Sequence, residues 1–521
     1  MPRTNYATLA RPNQRQQATP TQVQNNAGGY VFALDPMKQL ERFLILGSDR
    51  PTYYQTAQAL TVANAQCVVA CWAAHPQQTL DLIVDISDNG RAPKNDPAIF
   101  AMALGTLDTD TKTRQLVYAN LHRVCRTASH MFMFVELSRT LGKGWGRGMK
   151  NAIAKFYTAK HLDALGMQVV KYRQRNGYTH KRLLQTSHPK TKDTPRLNLF
   201  RYIVGKEHNV EQLPDIVQGF VEAQRQDSTP LAVLKRYPNL PWEALPTEAL
   251  NDPQVWSFLL PGMGLTALMR NLGKMSSLGI LKPLSKEEDH VVRRLSDPVE
   301  VQSSRLHPMS ILFAMKTYST GRGFRGSNNW PVNHNVVAAL ETAFNLSFGN
   351  VPAGNKRTFI GLDVSGSMSS NYINGTNLSA REASAAMAMV TFRSEPRVFM
   401  QGFSSSFVDL KVTKNDSLPD VIRKISGLPF AGTDCALPMI YAQQQKLEVD
   451  QFVIYTDNET YHGRVHPFQA LRDYRRASGI DAKLVVVGMT TTRFSIADPS
   501  DPGMLDVVGF DTNAPTLIAN F

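Results

Sequence analysis

The sequence lacks cysteine-rich segments and long apolar runs. Four cysteines in 521 residues are too few for a disulfide framework, and no Cys-x2-Cys pair with matching histidines indicates zinc. No stretch of about 18 consecutive apolar residues occurs, and no charged and then apolar leader opens the chain. We therefore expect a cytoplasmic, multidomain protein with reduced thiols, neither secreted nor spanning a membrane.

Catalytic fingerprints are also missing. The sequence contains no Gly-x4-Gly-Lys-Ser/Thr phosphate loop, no His-Glu-x2-His zinc motif and no Gly-x-Ser-x-Gly nucleophile motif. The glycine-rich residues 142–148 fit neither nucleotide-binding fingerprint, so we interpret them as a connector. Two-metal nucleases need clustered carboxylates, which the basic part of this chain lacks. We therefore predict that the protein is not an enzyme.

Negative charge is scarce in one part of the chain. The net charge is +14, but residues 356–521 hold 16 basic and 17 acidic residues, so the first 355 residues carry a net +15. Residues 112–206 hold 20 lysines and arginines and only three acidic residues, with aromatic residues between them. Such a stretch forms a solvated face or binds a polyanion, and its length and few acids favour nucleic acid.

The pattern of apolar residues divides the chain into three segments. Residues 1–28 are rich in Gln, Asn, Thr and Pro, which predicts a flexible arm able to order on docking. Residues 29–354 carry apolar residues at helical spacing, interrupted by prolines, which predicts an array of helices. Residues 355–521 alternate short apolar runs with helical segments, which predicts a doubly wound α/β domain.

Hydroxyl and carboxylate side chains follow the predicted strands of the α/β domain. Asp363, Ser365 and Ser367 form an Asp-x-Ser-x-Ser motif after the first strand, Thr433 precedes a helix, and Asp457 follows a later strand. Because ligands bind at the carboxyl ends of such strands, we expect these side chains to meet there. Hard oxygen ligands suit Mg²⁺. The alternative is that the two serines cap a helix and Asp363 stabilises a turn.

These positions resemble the metal-ion-dependent adhesion site of von Willebrand factor type A domains. The resemblance implies that Ser365, Ser367 and Thr433 contact Mg²⁺ or another divalent cation directly. It implies that Asp363 and Asp457 act largely through water, and that an acidic group of a partner takes the open coordination position. All five positions of the motif are filled in this sequence.

The densest cationic cluster lies at residues 171–182 and is followed by His188. On a helix, Lys171 and Arg175 are four residues apart and share one face, from which they contact adjacent phosphates. His188 either hydrogen-bonds phosphate or sugar, or stabilises the turn before the next proline. The sequence therefore predicts a helix that binds nucleic acid at this position.

With this cluster, several segments resemble the Ro autoantigen family, in which a TROVE module is joined to a von Willebrand A domain. The further matching segments are residues 265–275, 306–308, 317–326, 432–435 and 456–460. The resemblance extends over residues 29–521. It implies a toroid of HEAT-like helical repeats, residues 29–354, closed by the α/β domain, residues 355–521.

The resemblance also implies a function. Ro proteins bind small noncoding Y RNAs on a basic outer surface, and single-stranded ends of misfolded noncoding RNAs enter the central hole, in RNA quality control and maturation. The positions that the resemblance assigns to RNA are Lys171, Arg175 and His188, then Arg147, Lys150, Arg173, His180 and Lys181. For a bacterial member it implies a monomeric protein that works with polynucleotide phosphorylase or another exoribonuclease.

One function of a different class stays open. The protein is alternatively a metal-dependent adaptor for other proteins, with an incidental basic surface. Preference for structured RNA over an acidic polypeptide would distinguish the two functions.

Overall fold

Two kinds of architecture follow one another along the chain. The structure, a computed structural model, describes residues 12–47, 65–324, 327–349, 351–370, 372, 378–428 and 432–521. Within these residues, a helical region from Pro36 to Leu346 precedes an α/β unit from Thr358 onward. None of the described helices combines the length and the apolar character needed to cross a membrane.

The helical region consists of short helices packed side by side. Its helices are α1 (Pro36–Leu46), α2 (Gln66–Ala74), α3 (Pro76–Asp88), α4 (Asp96–Gly105), α5 (Thr111–Val124), α6 (Ala128–Thr140), α7 (Arg147–Ala159), α8 (Leu162–Lys171), α9 (His180–Ser187), α10 (Thr194–Val204), α11 (Asp215–Ala223), α12 (Pro230–Arg236), α13 (Pro253–Leu259), α14 (Leu265–Ser277), α15 (Lys286–Leu295), α16 (Pro298–Ser303), α17 (Pro308–Ser319) and α18 (His334–Leu346). Helices two positions apart contact one another, as in α3 with α5, α4 with α6, and α5 with α7. This is the nearest-neighbour packing of a helical-repeat array. All four cysteines lie within the described residues, are buried and form no disulfide.

The α/β unit is built on a six-stranded sheet. The strands of the chain are β1 (Gln22–Gln24), β2 (Tyr30–Ala33), β3 (Gln174–Arg175), β4 (Tyr178–Thr179), β5 (Thr358–Asp363), β6 (Val398–Phe403), β7 (Phe407–Val408), β8 (Gln451–Thr456), β9 (Lys483–Gly488), β10 (Phe494–Ser495) and β11 (Met504–Val508). The sheet has the order β11–β9–β8–β5–β6–β7, in which only β7 is antiparallel to its neighbour. The helices of the unit are α19 (Gly366–Ser370), α20 (Ala380–Ser394), α21 (Leu418–Ser426), α22 (Leu437–Gln444), α23 (Pro467–Ser478) and α24 (Ala514–Asn520).

The central strands are buried on both faces, as a parallel sheet between two helical layers requires. Alternate residues of one strand enter two separate hydrophobic clusters: Ile360 and Leu362 lie in one, and Phe359 lies in the other. The second helix after this strand, α20, begins with a capping box in which Ser379 and Glu382 bond each other's backbone N–H groups. The predicted doubly wound α/β domain is therefore confirmed.

Residues 12–28, the described part of the arm predicted for residues 1–28, pack on the α/β unit. β1 pairs with β2, and β2 pairs with β10. Val31 and Phe32 are buried, and the ring of Phe32 meets that of Phe468 edge to face at a centroid distance of 5.3 Å. Residues 1–11 lie outside the described residues. The first helix of the helical region, α1, begins at Pro36.

Both ends of the helical region contact the α/β unit. Near one end, the buried guanidinium of Arg42 in α1 donates to the carboxylate of Asp506 at 2.6 Å. Near the other end, the ammonium of Lys316 in α17 donates to Glu382 in α20 at 2.7 Å. Because helices near both ends of the array meet the same unit, the array is closed, and the predicted helical ring joined to an α/β domain is confirmed.

The two ends also meet directly, at a seam formed by Arg91, His307 and Asp511. His307 Nδ1 accepts the N–H of Met309, so Nε2 carries the proton and donates to the carbonyls of Arg91 and Phe510, at 3.1 and 2.9 Å. Burial lowers the pKa of His307 to about 4, so the ring is neutral at physiological pH. One neutral imidazole thus joins the two ends of the helical region to each other and to the α/β unit.

Replacing Arg91 with alanine is expected to reduce the free energy of unfolding by about 3–5 kcal/mol, because the substitution leaves the buried carboxylate of Asp511 without its cation. Arg91 donates to Asp511 at 2.5 Å and to Glu41 at 2.6 Å. Urea denaturation measures the loss. Arg123→Ala, which removes an exposed partner of Asp88, should cost under about 1 kcal/mol, and equal losses in both variants would contradict the prediction.

Candidate metal centre and basic surface

The carboxyl ends of β5 and β8 meet at one edge of the sheet, where Leu362 lies opposite Tyr455. Asp363 is fully buried there. The hydroxyl of Thr456 donates to Asp363 Oδ2 at 2.7 Å, and the backbone N–H of Ser365 donates to Oδ1 at 2.9 Å. Both carboxylate oxygens therefore have protein partners, an arrangement compatible with water-mediated rather than direct ligation.

The hydroxyls and the second carboxylate lie at the same edge. Ser365 Oγ and Ser367 Oγ are 3.1 Å apart, and the Ser367 hydroxyl lies beside Asp457. Asp457 Oδ1 accepts the N–H of Glu459 at 3.1 Å, whereas Oδ2 is buried without a hydrogen-bond partner among the described residues. A buried carboxylate oxygen without a partner is costly, and a cation beside it removes that cost. The donor set therefore fits Mg²⁺.

Thr433 reaches this edge from the loop before α22 and is 2% exposed. Its carbonyl accepts the N–H groups of Tyr461 and His462, at 3.1 and 3.0 Å, which ties its loop to the one that begins at Asp457. All five predicted metal residues thus lie at one edge, and their role as ligands stays a prediction. No group of three or more His, Cys, Asp or Glu side chains able to hold a metal occurs in the described ranges, so such a centre depends on its hydroxyls.

Burial raises the pKa of both carboxyl groups. For Asp363 it does so despite the hydrogen bonds from Ser365 and Thr456. For Asp457, burial and then the negative charges of Asp363 and Glu459 raise the pKa to about 8. At neutral pH and without a cation, Asp457 therefore holds a proton, which a bound cation would displace.

Two residues that the sequence did not single out, Thr456 and Arg381, complete the centre. Arg381 is 2% exposed in α20. Its guanidinium donates to the carbonyls of Val364 and Ser365, which fixes the backbone of the Asp-x-Ser-x-Ser motif. An arginine in the first turn of a helix otherwise rich in alanine and methionine was the available sequence signal.

A hairpin replaces the helix that was predicted to place Lys171 and Arg175 on one face. α8 ends at Lys171, and β3 pairs with β4 around Asn176 and Gly177. These two residues have φ values of 52° and 73°, which is the mirror-image turn that Asn-Gly favours between antiparallel strands. Arg175 therefore projects from the hairpin and not from α8.

Four cations on the hairpin and the start of α9 are exposed, and none of them forms an ion pair with a carboxylate in the described part of the chain. These residues, which we name the hairpin cluster, are Arg173, Arg175, Lys181 and Arg182. Two of the guanidinium groups lie over aromatic rings: Arg182 over Tyr178 at 4.5 Å and Arg173 over Phe220 at 5.3 Å. The aromatic rings hold these cations at the surface without neutralising them.

Lys171 and His188 differ in how accessible their side chains are to an RNA ligand. Lys171 is half-buried and lies 3.6 Å from the carboxylate of Glu243, so part of its charge is already compensated. His188 is exposed and ends α9 in the left-handed conformation, with φ 48°. This position stabilises the turn and also leaves the ring open to a ligand.

The start of α7 extends the hairpin cluster. Trp145 contacts Tyr178 edge to face at a centroid distance of 6.4 Å, which brings the two segments together. Arg147 is exposed and Lys150 half-buried in the first turn of the helix. The cap residue is Gly146, so no side chain occupies the first N–H groups of α7. Free N–H groups beside cations suit an anion such as phosphate.

His180 belongs to the core and not to the basic surface, which corrects its assignment to RNA. It is 3% exposed. Its Nε2 donates to the carbonyl of Gln168 at 3.2 Å, and its Nδ1 accepts the hydroxyl of Tyr157 at 3.0 Å. Burial lowers the pKa of His180 to about 4, so the ring carries no charge for a phosphate at neutral pH.

His180→Ala is therefore expected to reduce the free energy of unfolding by about 2–4 kcal/mol, because it leaves a cavity and removes the partner of the Tyr157 hydroxyl. The salt dependence of RNA binding should not change in the folded variant. Urea denaturation and RNA titration check the two parts. Lys181→Ala, at the exposed neighbour, should change stability by less than about 0.5 kcal/mol, and a weaker salt dependence in folded His180→Ala would show direct contact with RNA.

Both parts of the chain match known protein families. Residues 357–521 match a model described as the Ro60 vWA domain, and residues 23–227 and 234–319 match the TROVE domain. A Deinococcus radiodurans relative, RNA-binding protein RO60, is 38% identical over 98% of this chain and 97% of its own length. The Caenorhabditis elegans RNA-binding protein RO60 is 35% identical over 98% of this chain and 91% of its own.

A solved structure agrees with the sequence matches. The crystal structure of the Deinococcus radiodurans RO (RSR) protein covers 93% of this chain and 99% of its own, with a TM-score of 0.70 and 37% identity. The likeness extends over the helical region and the α/β unit together. The chain therefore belongs to the Ro60 family, whose members join a TROVE domain to a vWA domain.

Proposed function

We propose that the protein binds RNA through the hairpin cluster and the start of α7. The observation that carries the proposal is the set of four exposed cations that form no ion pair with a described carboxylate. Cations without carboxylate partners are free to neutralise phosphates and release counterions. Both relatives are named RNA-binding proteins, and the part of this chain that matches the TROVE domain includes this surface.

The RNA is, in this proposal, of two kinds. A small noncoding Y RNA binds the basic outer surface, and single-stranded ends of misfolded or precursor noncoding RNA enter the central hole of the ring. The protein acts in RNA quality control and maturation in the cytoplasm, as a monomer and without catalysing a reaction itself. An exoribonuclease such as polynucleotide phosphorylase is the proposed partner that degrades the RNA. The family resemblance supports these finer assignments.

The α/β unit holds Mg²⁺ in the same proposal. Ser365, Ser367 and Thr433 contact the cation, and Asp363 and Asp457 act largely through water. The partnerless oxygen of Asp457 and the hydroxyl-rich donor set support this assignment. When bound, the cation supplies positive charge for an acidic group of a partner. If calorimetric titration with Mg²⁺ gives no heat in either the wild type or Asp363→Ala, the metal assignment is overturned.

A salt titration tests the RNA proposal against the adaptor alternative. The alternative is supported by the meeting of all five predicted metal ligands at one edge of the sheet. We expect structured RNA to bind with neutralisation of roughly 5–8 phosphates, so log affinity should fall with log salt at about −0.7 to −0.9 per phosphate. Filter binding with RNA and with polyglutamate, in Mg²⁺, measures both ligands. Preference for polyglutamate, with RNA affinity independent of salt, would overturn RNA binding and support the adaptor.

A further inference from the structure

The amino-terminal segment crosses the same edge of the sheet as the metal centre. We name residues 12–29 the strap. Its backbone is fixed on both sides: Gln14 donates its N–H to the carbonyl of Gly463 at 3.0 Å and accepts the N–H of Tyr30 at 2.8 Å. β1, inside the strap, pairs with β2, which is itself bonded to β10 of the α/β unit. The strap is therefore part of the α/β unit.

One buried side chain of the strap joins the two metal loops. Gln14 is 0% exposed. Its Nε2 donates to Asp434 Oδ1 at 2.7 Å, next to Thr433. Its Oε1 accepts the hydroxyl of Thr460 at 2.5 Å, in the loop that begins at Asp457. A glutamine amide offers donors and an acceptor at once, and here Nε2 also donates to the carbonyl of Val465 at 2.7 Å, so the one amide is bonded to both loops.

A second set of contacts holds the loop after Asp457. The side-chain amide of Asn26 donates to Glu459 Oε1 at 2.5 Å, and the N–H of Ala27 donates to Oε2 at 3.1 Å. Asn25 donates to the carbonyl of Thr460 at 2.8 Å. The strap thus supplies a partner to each carboxylate oxygen of Glu459, two positions from Asp457.

The strap and the loop touch through their backbones. A Cβ atom added at Gly29 would lie 1.8 Å from the carbonyl oxygen of Thr460, so only glycine fits. The loop itself contains Asn458 with φ 66°, a left-handed conformation that non-glycine residues adopt only when surrounding contacts enforce it. Asn25 supplies one such contact, to the carbonyl of Asn458 at 3.3 Å.

We propose that Gln14 and Asn26 are positioning residues for the metal centre. Before a cation arrives, the strap holds the Thr433 loop and the Asp457 loop at the separation that joint ligation needs. Binding then costs less ordering of the loops, so affinity is higher. This inference rests on the proposed Mg²⁺ site, and it gives the amino-terminal segment a role in cation binding.

The test uses the full chain with Gln14→Ala, Asn26→Ala and, as matched control, Gln16→Ala, whose exposed side chain lies in the same strap. Titration with Mg²⁺ alone should show affinity about tenfold lower for Gln14→Ala, since loss of hydrogen bonds to a carboxylate is worth about 1.5 kcal/mol. Asn26→Ala, at an exposed position, should bind Mg²⁺ about threefold more weakly than the wild type. This variant keeps the test valid if Gln14→Ala does not fold. Gln16→Ala should match the wild type.

Amide hydrogen exchange without Mg²⁺ gives a second measurement. In Gln14→Ala, residues 457–463 should exchange faster while β9 is unchanged, and saturating Mg²⁺ should restore protection. Wild-type affinity in both variants, with unchanged exchange of the loop, would overturn the positioning role. If the wild type binds no Mg²⁺, the proposed metal site is overturned, and the positioning role is overturned with it. Faster exchange in Gln14→Ala would then mean that the strap only stabilises the loop.

Discussion

A variant without the four cations of the hairpin cluster is expected to bind RNA about 100- to 1,000-fold more weakly than the wild type at about 0.1 M salt. Each phosphate contact contributes about 0.7–0.9 to the slope of log affinity against log salt, so the loss of four contacts flattens that slope by about 3. Filter binding over a range of salt concentrations measures both quantities. The substitutions are Arg173→Ala, Arg175→Ala, Lys181→Ala and Arg182→Ala.

A control with the same change of net charge distinguishes local phosphate contacts from the long-range electrostatic attraction of the whole molecule. It removes four exposed cations of the α/β unit: Arg397→Ala, Arg423→Ala, Lys446→Ala and Arg476→Ala. Long-range attraction is screened beyond about 10 Å at 0.1 M salt, so this variant should keep the wild-type slope and most of the affinity. Equal losses in both variants would show that net charge, and not the hairpin, determines binding.

The affinity for Mg²⁺ is expected to rise about 100-fold between about pH 6 and pH 8 and to level off above that. The cation must displace the proton of Asp457, whose pKa is raised to about 8 by burial and the neighbouring carboxylates, and each pH unit below the pKa weakens binding about tenfold. Calorimetry in buffers of different ionisation enthalpy should show about one proton released near pH 6 and almost none near pH 9.

Two substitutions check the source of that proton. Asp457→Asn should bind Mg²⁺ weakly and without this dependence on pH. Asp481→Asn, whose side chain is fully exposed, should retain the wild-type profile. A wild-type affinity that does not change with pH would contradict the assignment of the proton to Asp457.

The same group contributes more stability to the metal-free protein in acid than in base. The pKa of Asp457 is about 8 in the folded state and about 4 in the unfolded state, so between these values the folded protein holds the extra proton. The contribution of Asp457 to the free energy of unfolding, taken as the difference between the wild type and Asp457→Asn, should therefore fall as the pH rises from about 4 to about 8. Saturating Mg²⁺ should oppose that fall, since it binds the ionised folded form.

The meeting of the five predicted metal residues at one edge was predictable from sequence because their spacing reflects the sheet. Strands buried on both faces appear as short apolar runs, and the residues directly after them, such as Asp363 and Asp457, are brought together by the parallel order. Thr433 was found in the same way, from the helix that follows it. Arg381 was not, although its place in the first turn of a helix rich in alanine and methionine is a signal that could have pointed to its burial.

The errors have physical causes as well. The helix expected from Lys171 to Arg175 was wrong because charge spacing was weighed above the Asn-Gly turn signal. His180 was assigned to RNA through the family resemblance, although its partners Tyr157 and Gln168 place its ring in the core. Gln14 could not be placed at all, since its partners Asp434 and Thr460 lie 420 and 446 positions away and no local pattern connects them.

The strap has a consequence for how the chain is made. It leaves the ribosome before the helical region, whereas the loops that it binds are synthesised more than 400 residues later. At about 5–20 residues per second, the delay is roughly 20–90 s. During that time the strand pair β1–β2 has no β10 to cover its edge, and such an edge invites pairing with other chains. The α/β unit, with the centre proposed for Mg²⁺, is therefore completed last, when both ends of the sequence are present at once.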